Sequence, residues 1–178
     1  SWSLQLGVRG EHIETYRTDW GSADPDRTGL NVSERSNRTQ TILPGLSISK
    51  KFGSWNMFTG IHRGMTPAGS KNGVLPERST NSEIGIQSSK LPFTLTLFHS
   101  EYKRLLGSDA ASSGGSGTGE LFNGGAAQIS GVEGQFSQQW KYWNLQLSAT
   151  YTKAVFTESF NSEFDGWGNV NEGDILPY

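Results

Sequence analysis

The chain has 178 residues, of which only 33% are apolar and 23 are glycine, too little apolar material for the two-sided core of an ordinary soluble domain. A formal net charge of −2 gives no electrostatic basis for nucleic-acid binding, and zero cysteines exclude disulfide frameworks and thiolate metal sites. Mean hydropathy is negative, and no run approaches the roughly 18 apolar residues of a membrane helix, whereas a membrane strand needs only about 9–11 residues.

Period-two alternation predicts a first strand from about Trp2 to Arg17, with Trp2, Leu4, Leu6 and Val8 on one face and Gln5, Gly7, Arg9 and Glu11 on the other. A polar loop follows over Thr18–Asn37. The second strand, Arg38–Lys51, sets Ile42, Pro44, Leu46 and Ile48 on one face. Pro44 cannot donate to a ladder, so a bulge is expected there. A tight turn, Lys51–Ser54, leads to a third strand, Trp55–Arg63, and then a long loop, Gly64–Arg78. Strand four is Ser79–Ser88. After a turn near Ser89-Lys90, strand five alternates Phe93, Leu95 and Leu97 with Thr94, Thr96 and Phe98. The Gly-, Ser- and Ala-rich stretch Gly107–Glu120 reads as a flexible loop. Strand six covers about Asn123–Ser137, and a change of face parity near Gly131 predicts a second bulge. The turn Gln138–Lys141 opens onto strand seven, Tyr142 to about Thr157, where the alternation from Trp143 to Thr152 is unbroken. A loop rich in Asn, Asp and Gly then runs to Ile175-Leu176-Pro177-Tyr178.

Long polar loops thus alternate with tight turns. Outer-membrane barrels have this asymmetry, with short periplasmic turns and long extracellular loops, while sandwiches have mixed loops at both ends. Small uncharged residues on one face suit a wet interior, and apolar residues edged by aromatics on the other suit lipid. The fold class read from this pattern is all-β: about seven antiparallel, up-and-down transmembrane strands.

Several motifs resemble the TonB-dependent outer-membrane receptors, the plugged transporters of about 22 strands. Leu43-Pro44-Gly45-Leu46-Ser47-Ile48 resembles their LPG strand, and Ile61-His62-Arg63-Gly64-Met65-Thr66-Pro67 their H-K/R-G strand end. Pro76-Glu77-Arg78-Ser79-Thr80-Asn81-Ser82-Glu83-Ile84-Gly85 is similar to the family's PE-x-S-x-N-x-E segment. Phe122-Asn123-Gly124-Gly125, followed by Gly131-Val132-Glu133, is similar to its NGG element. Tyr151-Thr152-Lys153-Ala154 and Gly173-Asp174-Ile175-Leu176-Pro177-Tyr178 match the succeeding strand and the approach to the next. Within the family the ferric-citrate or siderophore type is the nearest in character. The resemblance implies that residues 1–178 are a partial β-barrel domain, without the plug and the remaining strands. It also implies a bacterial outer-membrane location, import of a ferric chelate, energy from TonB acting through the missing plug, and contact with outer-membrane lipid and lipopolysaccharide.

Glu83 and Glu133 fall on the face whose other residues are mostly uncharged, and the resemblance implies that they pair with arginines of the plug. The alternative is that they only wet the lumen. His62 faces inward by parity, with Arg63 beside it and Arg78 across the loop. Arginine recognises carboxylates bidentately, so these three are candidates for capturing an anionic ferric chelate. The competing reading gives rim arginines to lipopolysaccharide or solvent.

Asp165–Asp174, like Asp24 and Asp26, has oxygen ligands without the ordered spacing of a calcium loop, so no metal or cofactor is expected. The sequons at Asn31 and Asn37 carry no meaning in a bacterial outer membrane. His12, His62 and His99 are scattered, and no nucleophile elbow, phosphate loop or zinc helix accompanies them, which argues against an enzyme. Two rival readings remain: a complete small barrel with a structural or adhesive role, and a secreted carbohydrate-binding sandwich with Trp20 and Trp167 as stacking platforms.

Overall fold

The computed structural model describes residues 1–22, 24–30, 32–108, 121–161 and 168–176. In chain order the strands are β1 (Trp2–Asp19), β2 (Ser33–Phe52), β3 (Trp55–Thr66), β4 (Glu77–Ser88), β5 (Phe93–Lys103), β6 (Leu106–Ser108), β7 (Leu121–Asn123), β8 (Ala126–Gln139), β9 (Asn144–Phe156), β10 (Phe160–Asn161) and β11 (Asn169–Val170). Seven of them form one antiparallel sheet in the order β1-β2-β3-β4-β5-β8-β9. The small pairs β6–β7 and β10–β11 belong to the loops. Much of the Gly107–Glu120 stretch, Asn31, residues 165–167 of the calcium-like stretch, and Pro177-Tyr178 lie outside the described residues.

Each hairpin at one end is tight. Gly53, at a φ of 59°, turns β2 into β3. Trp140 and Trp143 exchange backbone hydrogen bonds across the turn from β8 to β9. The long loops all lie at the other end. Among the described residues the sheet is single and its edges β1 and β9 do not meet, unlike a sandwich or a closed small barrel.

Register assigns every residue to a face. The pairs Leu6↔Leu46, Leu46↔Ile61, Ile84↔Leu97, Leu97↔Val132 and Val132↔Tyr151 place the large apolar side chains together on the convex side. That side is uncovered: Val8 is 77% exposed, Leu6 74% and Trp2 70%. A continuous apolar surface of this extent needs lipid, not water. The band slides along the register, from Trp2–Val8 on β1 to Trp143–Tyr151 beside and along β9. The row of Trp2 crosses β9 at Ala149 and not at Trp143. Strands tilted across a membrane produce this slide.

Neither expected bulge forms. The β5–β8 and β8–β9 ladders run through Gly131 without a break, pairing it with Phe98 and Thr152. The parity change there marks the edge of the membrane instead. Below it the apolar residues Val132 and Phe136 face lipid. Above it Ile129 and Ala127 face the concave side, where loops cover them, and Gln128 and Ser130 take the outside.

At Pro44 the β1–β2 ladder also continues, with Val8 opposite. Lys51 and Ser1 exchange backbone bonds, so the even-numbered residues of β2 turn their backbone groups towards β3. Pro44 therefore has no N–H to offer β3, and the β2–β3 ladder ends at Gly45↔His62. Beyond that point β2 and β3 diverge.

Gly131 has a packing role. A Cβ there would collide with the carbonyl of Tyr151 and the ring of Phe98, whereas at Gly134 the nearest atom would be Leu95 Cδ1 at 3.9 Å. Gly131→Val is expected to destabilise the folded barrel by about 1–3 kcal/mol. Gly134→Ala should be close to neutral, as read from urea midpoints of the two variants by tryptophan fluorescence.

Candidate functional site

The concave face is a wall of small and uncharged residues. Gly60, Glu83, Phe98, Gly131 and Thr152 form one cross-strand row, and Phe58, Gly85, Thr96, Glu133 and Thr150 form the next. The ring of Phe58 lies over Gly85 and that of Phe98 over Gly131, so two rings sit close to the backbone of the neighbouring strand. Glu83 leans over Gly60, its Oε1 3.4 Å from where a Cβ would stand. Phe98 and Thr96 of β5 separate Glu83 from Glu133. Both carboxylates are exposed on this face, and neither has an ion-pair partner among the described residues.

At the mouth the structure separates the three residues grouped by the sequence reading. His62 faces the concave side, packed beside Gly45. Arg63, opposite Thr80, and Arg78, opposite Lys103, share the convex face with Ile61 and Ile84. On β1 and β2, among the described residues, Arg9, Arg17 and Arg35 face inward at the mouth. Arg9 meets Glu11 at 2.9 Å, and Arg17 stands directly opposite Arg35 with Asp19 at 3.7 Å. Sequence reasoning missed this pair because it assigned Thr18–Asn37 to a loop. Extending the strand-one alternation across the hairpin would have found it.

Two loops fold inward over this face. Residues 67–76 lie across β1 and β2: Asn37 Nδ2 donates to the carbonyls of Gly69 (3.1 Å) and Val74 (2.9 Å), and Thr15 Oγ1 to that of Ala68 (3.5 Å). Ala68, Val74, Thr39 and Leu43 become buried as a result. Asn123 clasps the same loop to the next one. Its Oδ1 accepts from Leu75 N and its Nδ2 donates to Leu75 O, both at 2.9 Å, with Arg104 O at 3.3 Å. Glu77 adds a second tie, accepting from Leu106 N at 2.9 Å and Thr66 Oγ1 at 3.1 Å. Beside them a small apolar cluster of Ala127, Phe156 and Val170, with Tyr102, Leu105, Phe160 and Leu176, roofs β8 and β9.

The first loop is organised by Asp24, which is 4% exposed and accepts from the backbone N–H groups of Thr28 and Gly29, both at 2.8 Å, and from Thr28 Oγ1 at 2.9 Å. Asp174 similarly caps the Asn171 N–H at 2.8 Å. Among the described residues no group of three or more carboxylates and histidines could hold a metal.

The family described as TonB dependent receptor-like, beta-barrel, matches this chain over residues 1–178. The chain belongs to the TonB-dependent receptor β-barrel family. Members of this family are transporters, not enzymes, and the barrel lies in the bacterial outer membrane. Among solved structures the chain is similar to the siderophore receptor PirA from Pseudomonas aeruginosa, at 16% identity and a TM-score of 0.46. That match covers 84% of this chain and 36% of PirA's, so the chain spans about a third of that receptor's length. No curated protein matches.

In this TonB-dependent receptor barrel the convex band is thus the lipid face, the concave wall is the lumen, and the loop end is extracellular. The inward loops narrow the mouth, and the Asn123 clasp makes them one unit. Asn123→Ala is expected to weaken that unit by about 1–2 kcal/mol, which would speed amide exchange over residues 67–76 roughly tenfold. Unchanged exchange there would refute the clasp.

The hydrogen bonds to Asp24, that from the Thr28 N–H foremost, hold its pKa below the ordinary aspartate value. Their stabilisation is present above the unfolded carboxyl's pKa and is lost as pH falls through the lowered folded value. Limited proteolysis should therefore find loop 20–32 protected at neutral pH and cut in acid. Asp24→Ala should be cut at both.

Proposed function

We propose that this chain forms part of the wall and mouth of a receptor that imports a ferric chelate, ferric citrate or a siderophore, with energy supplied through TonB. The observation that carries this reading is the pair Glu83 and Glu133, two unpartnered carboxylates on an otherwise uncharged lumen wall. Carboxylates in that setting call for cationic partners, and arginines of a plug seated in the barrel would supply them. Removing one member of a buried ion pair costs more than the pair's net worth, because the other charge is left unpaired.

Above the wall, Arg17 and Arg35 oppose one another on the inward face. Arg17, with Asp19 beside it, and Arg35 thus place two guanidinium groups side by side on the lumen side of the mouth. An iron complex of carboxylate ligands is an anion, and arginine meets it through bidentate hydrogen bonds. His62, lower on the same face, offers a hydrogen-bonding ring beneath the mouth. Arg63 and Arg78, on the convex face, take no part in capture.

The test is uptake of radiolabelled ferric citrate by energised cells carrying the full-length receptor. Arg17→Ala with Arg35→Ala should raise the half-saturating concentration about tenfold or more, while Arg63→Ala with Arg78→Ala should leave it unchanged. Glu83→Ala and Glu133→Ala should each lower the urea concentration that releases the plug. Equal uptake by all variants and by cells lacking the receptor would sink the ferric-chelate reading.

A further inference from the structure

We propose that a basin around Lys51, at the periplasmic end of the lumen wall, is a release subsite for an anion bearing several carboxylates. Its role in release rests on the reading of the cargo as such an anion. The subsite is where that anion is last held before it leaves the barrel.

Near the tight-turn end of the sheet one cross-strand row on the concave face runs Lys51, Asn56, Gln87, Thr94, Gln135 and Ser148. Lys51 is its charged member. At that end the row opens on a basin of about 420 Å³, to which Ser3, Ser49 and Ser89 add hydroxyls. Among the described residues no carboxylate lines it. Strand alternation sends the neighbouring Lys50 to the other face, where its ammonium stands 4.7 Å over the Trp2 ring at the edge of the lipid band. Of the two lysines, only Lys51 serves the lumen.

The frame of the basin is fixed while its side chains are uncommitted. Ser89 donates to the Ser54 carbonyl through its backbone N at 2.8 Å and its Oγ at 3.2 Å, which ties the β4–β5 turn to the β2–β3 turn. Lys51 N donates to the Ser1 carbonyl at 2.9 Å and holds β2 in place beside β1. The Lys51 ammonium and the Asn56 and Gln87 amides have no side-chain partner among the described residues.

An ammonium, two amides and several hydroxyls can all donate to carboxylate oxygens. A plug arginine finds no anionic partner here, because the open carboxylates of the wall, Glu83 and Glu133, stand on β4 and β8. The basin is also weaker than the mouth. Lysine acts as a point charge, whereas Arg17 and Arg35 offer two bidentate forks. A site on the way out must bind weakly enough to let go, and one lysine among neutral donors meets that need.

Charge-selective cysteine labelling of the full-length receptor in detergent tests the subsite. The 178 residues contain no cysteine, so Ser49→Cys reports from the basin and Ser148→Cys from the far end of the row, beside Glu133. Relative to their rates with a free thiol, a sulfonate-bearing reagent should modify Ser49→Cys about fivefold faster than a trimethylammonium-bearing one. Ser148→Cys should not share that preference. Millimolar iron-free citrate should slow labelling at Ser49→Cys about threefold and leave Ser148→Cys unchanged. Lys51→Gln should abolish both effects, while Lys51→Arg and Lys50→Gln should keep them. Ser3→Cys, opposite Ser49, is the reporter should Ser49→Cys give no folded receptor. Absence of the charge preference, its survival in Lys51→Gln, or lack of protection by citrate overturns the subsite. So does failure of both basin cysteines to react, which would put the plug over the basin. Labelling involves no transport, so a failure of ferric citrate uptake overturns the cargo reading and not the anion site, and a failure here does the reverse.

Discussion

Lipid offers no hydrogen bonds to a backbone, so every strand inside the bilayer must be paired along its length. That constraint governs the rest of this barrel segment. Its ladders run without a bulge through the apolar band, and an unbroken ladder with a period of two leaves each side chain one choice, lipid or lumen. The ladder gives way only at Pro44, above the band on β2, where solvent and headgroups can take over from the missing partner.

The face on which apolar residues sit is set by what covers it, and coverage changes with height. Within the membrane the convex side is apolar, and the lumen side carries Ser, Thr, Gln and Gly. Above the membrane the convex side turns to His12, Glu14, Arg38, Arg78 and Lys103. There the concave side buries Leu43, Ala127, Ala154 and Phe156 beneath inward loops. The strand chemistry therefore inverts twice along one hairpin without any change in the pleat.

The family motifs gain physical content from the same geometry. Glu77 and Asn123, which read as motif letters in the sequence, tie the second loop to the third through backbone groups of Leu75, Arg104 and Leu106. Gly45 makes room for His62, and Gly85 and Gly131 for Phe58 and Phe98. These residues shape the wall and its mouth, while Glu83 and Glu133 stand open to the lumen.

Local pattern alone determined the seven strands, their up-and-down order, the lipid band and the inward placement of His62, Glu83 and Glu133. Those properties depend on a period of two and on loop length, both written in consecutive residues. Tertiary structure decided what depends on partners distant in sequence. It opposed Arg17 to Arg35 by extending β1 and β2 well past the membrane, and it put Arg63 and Arg78 outside, away from His62. It also showed the parity change at Gly131 to be a boundary between lipid and loop-covered wall. A parity count tells which residues share a face but not what lies against it, and that can be read only once the strands are paired and the loops have folded back.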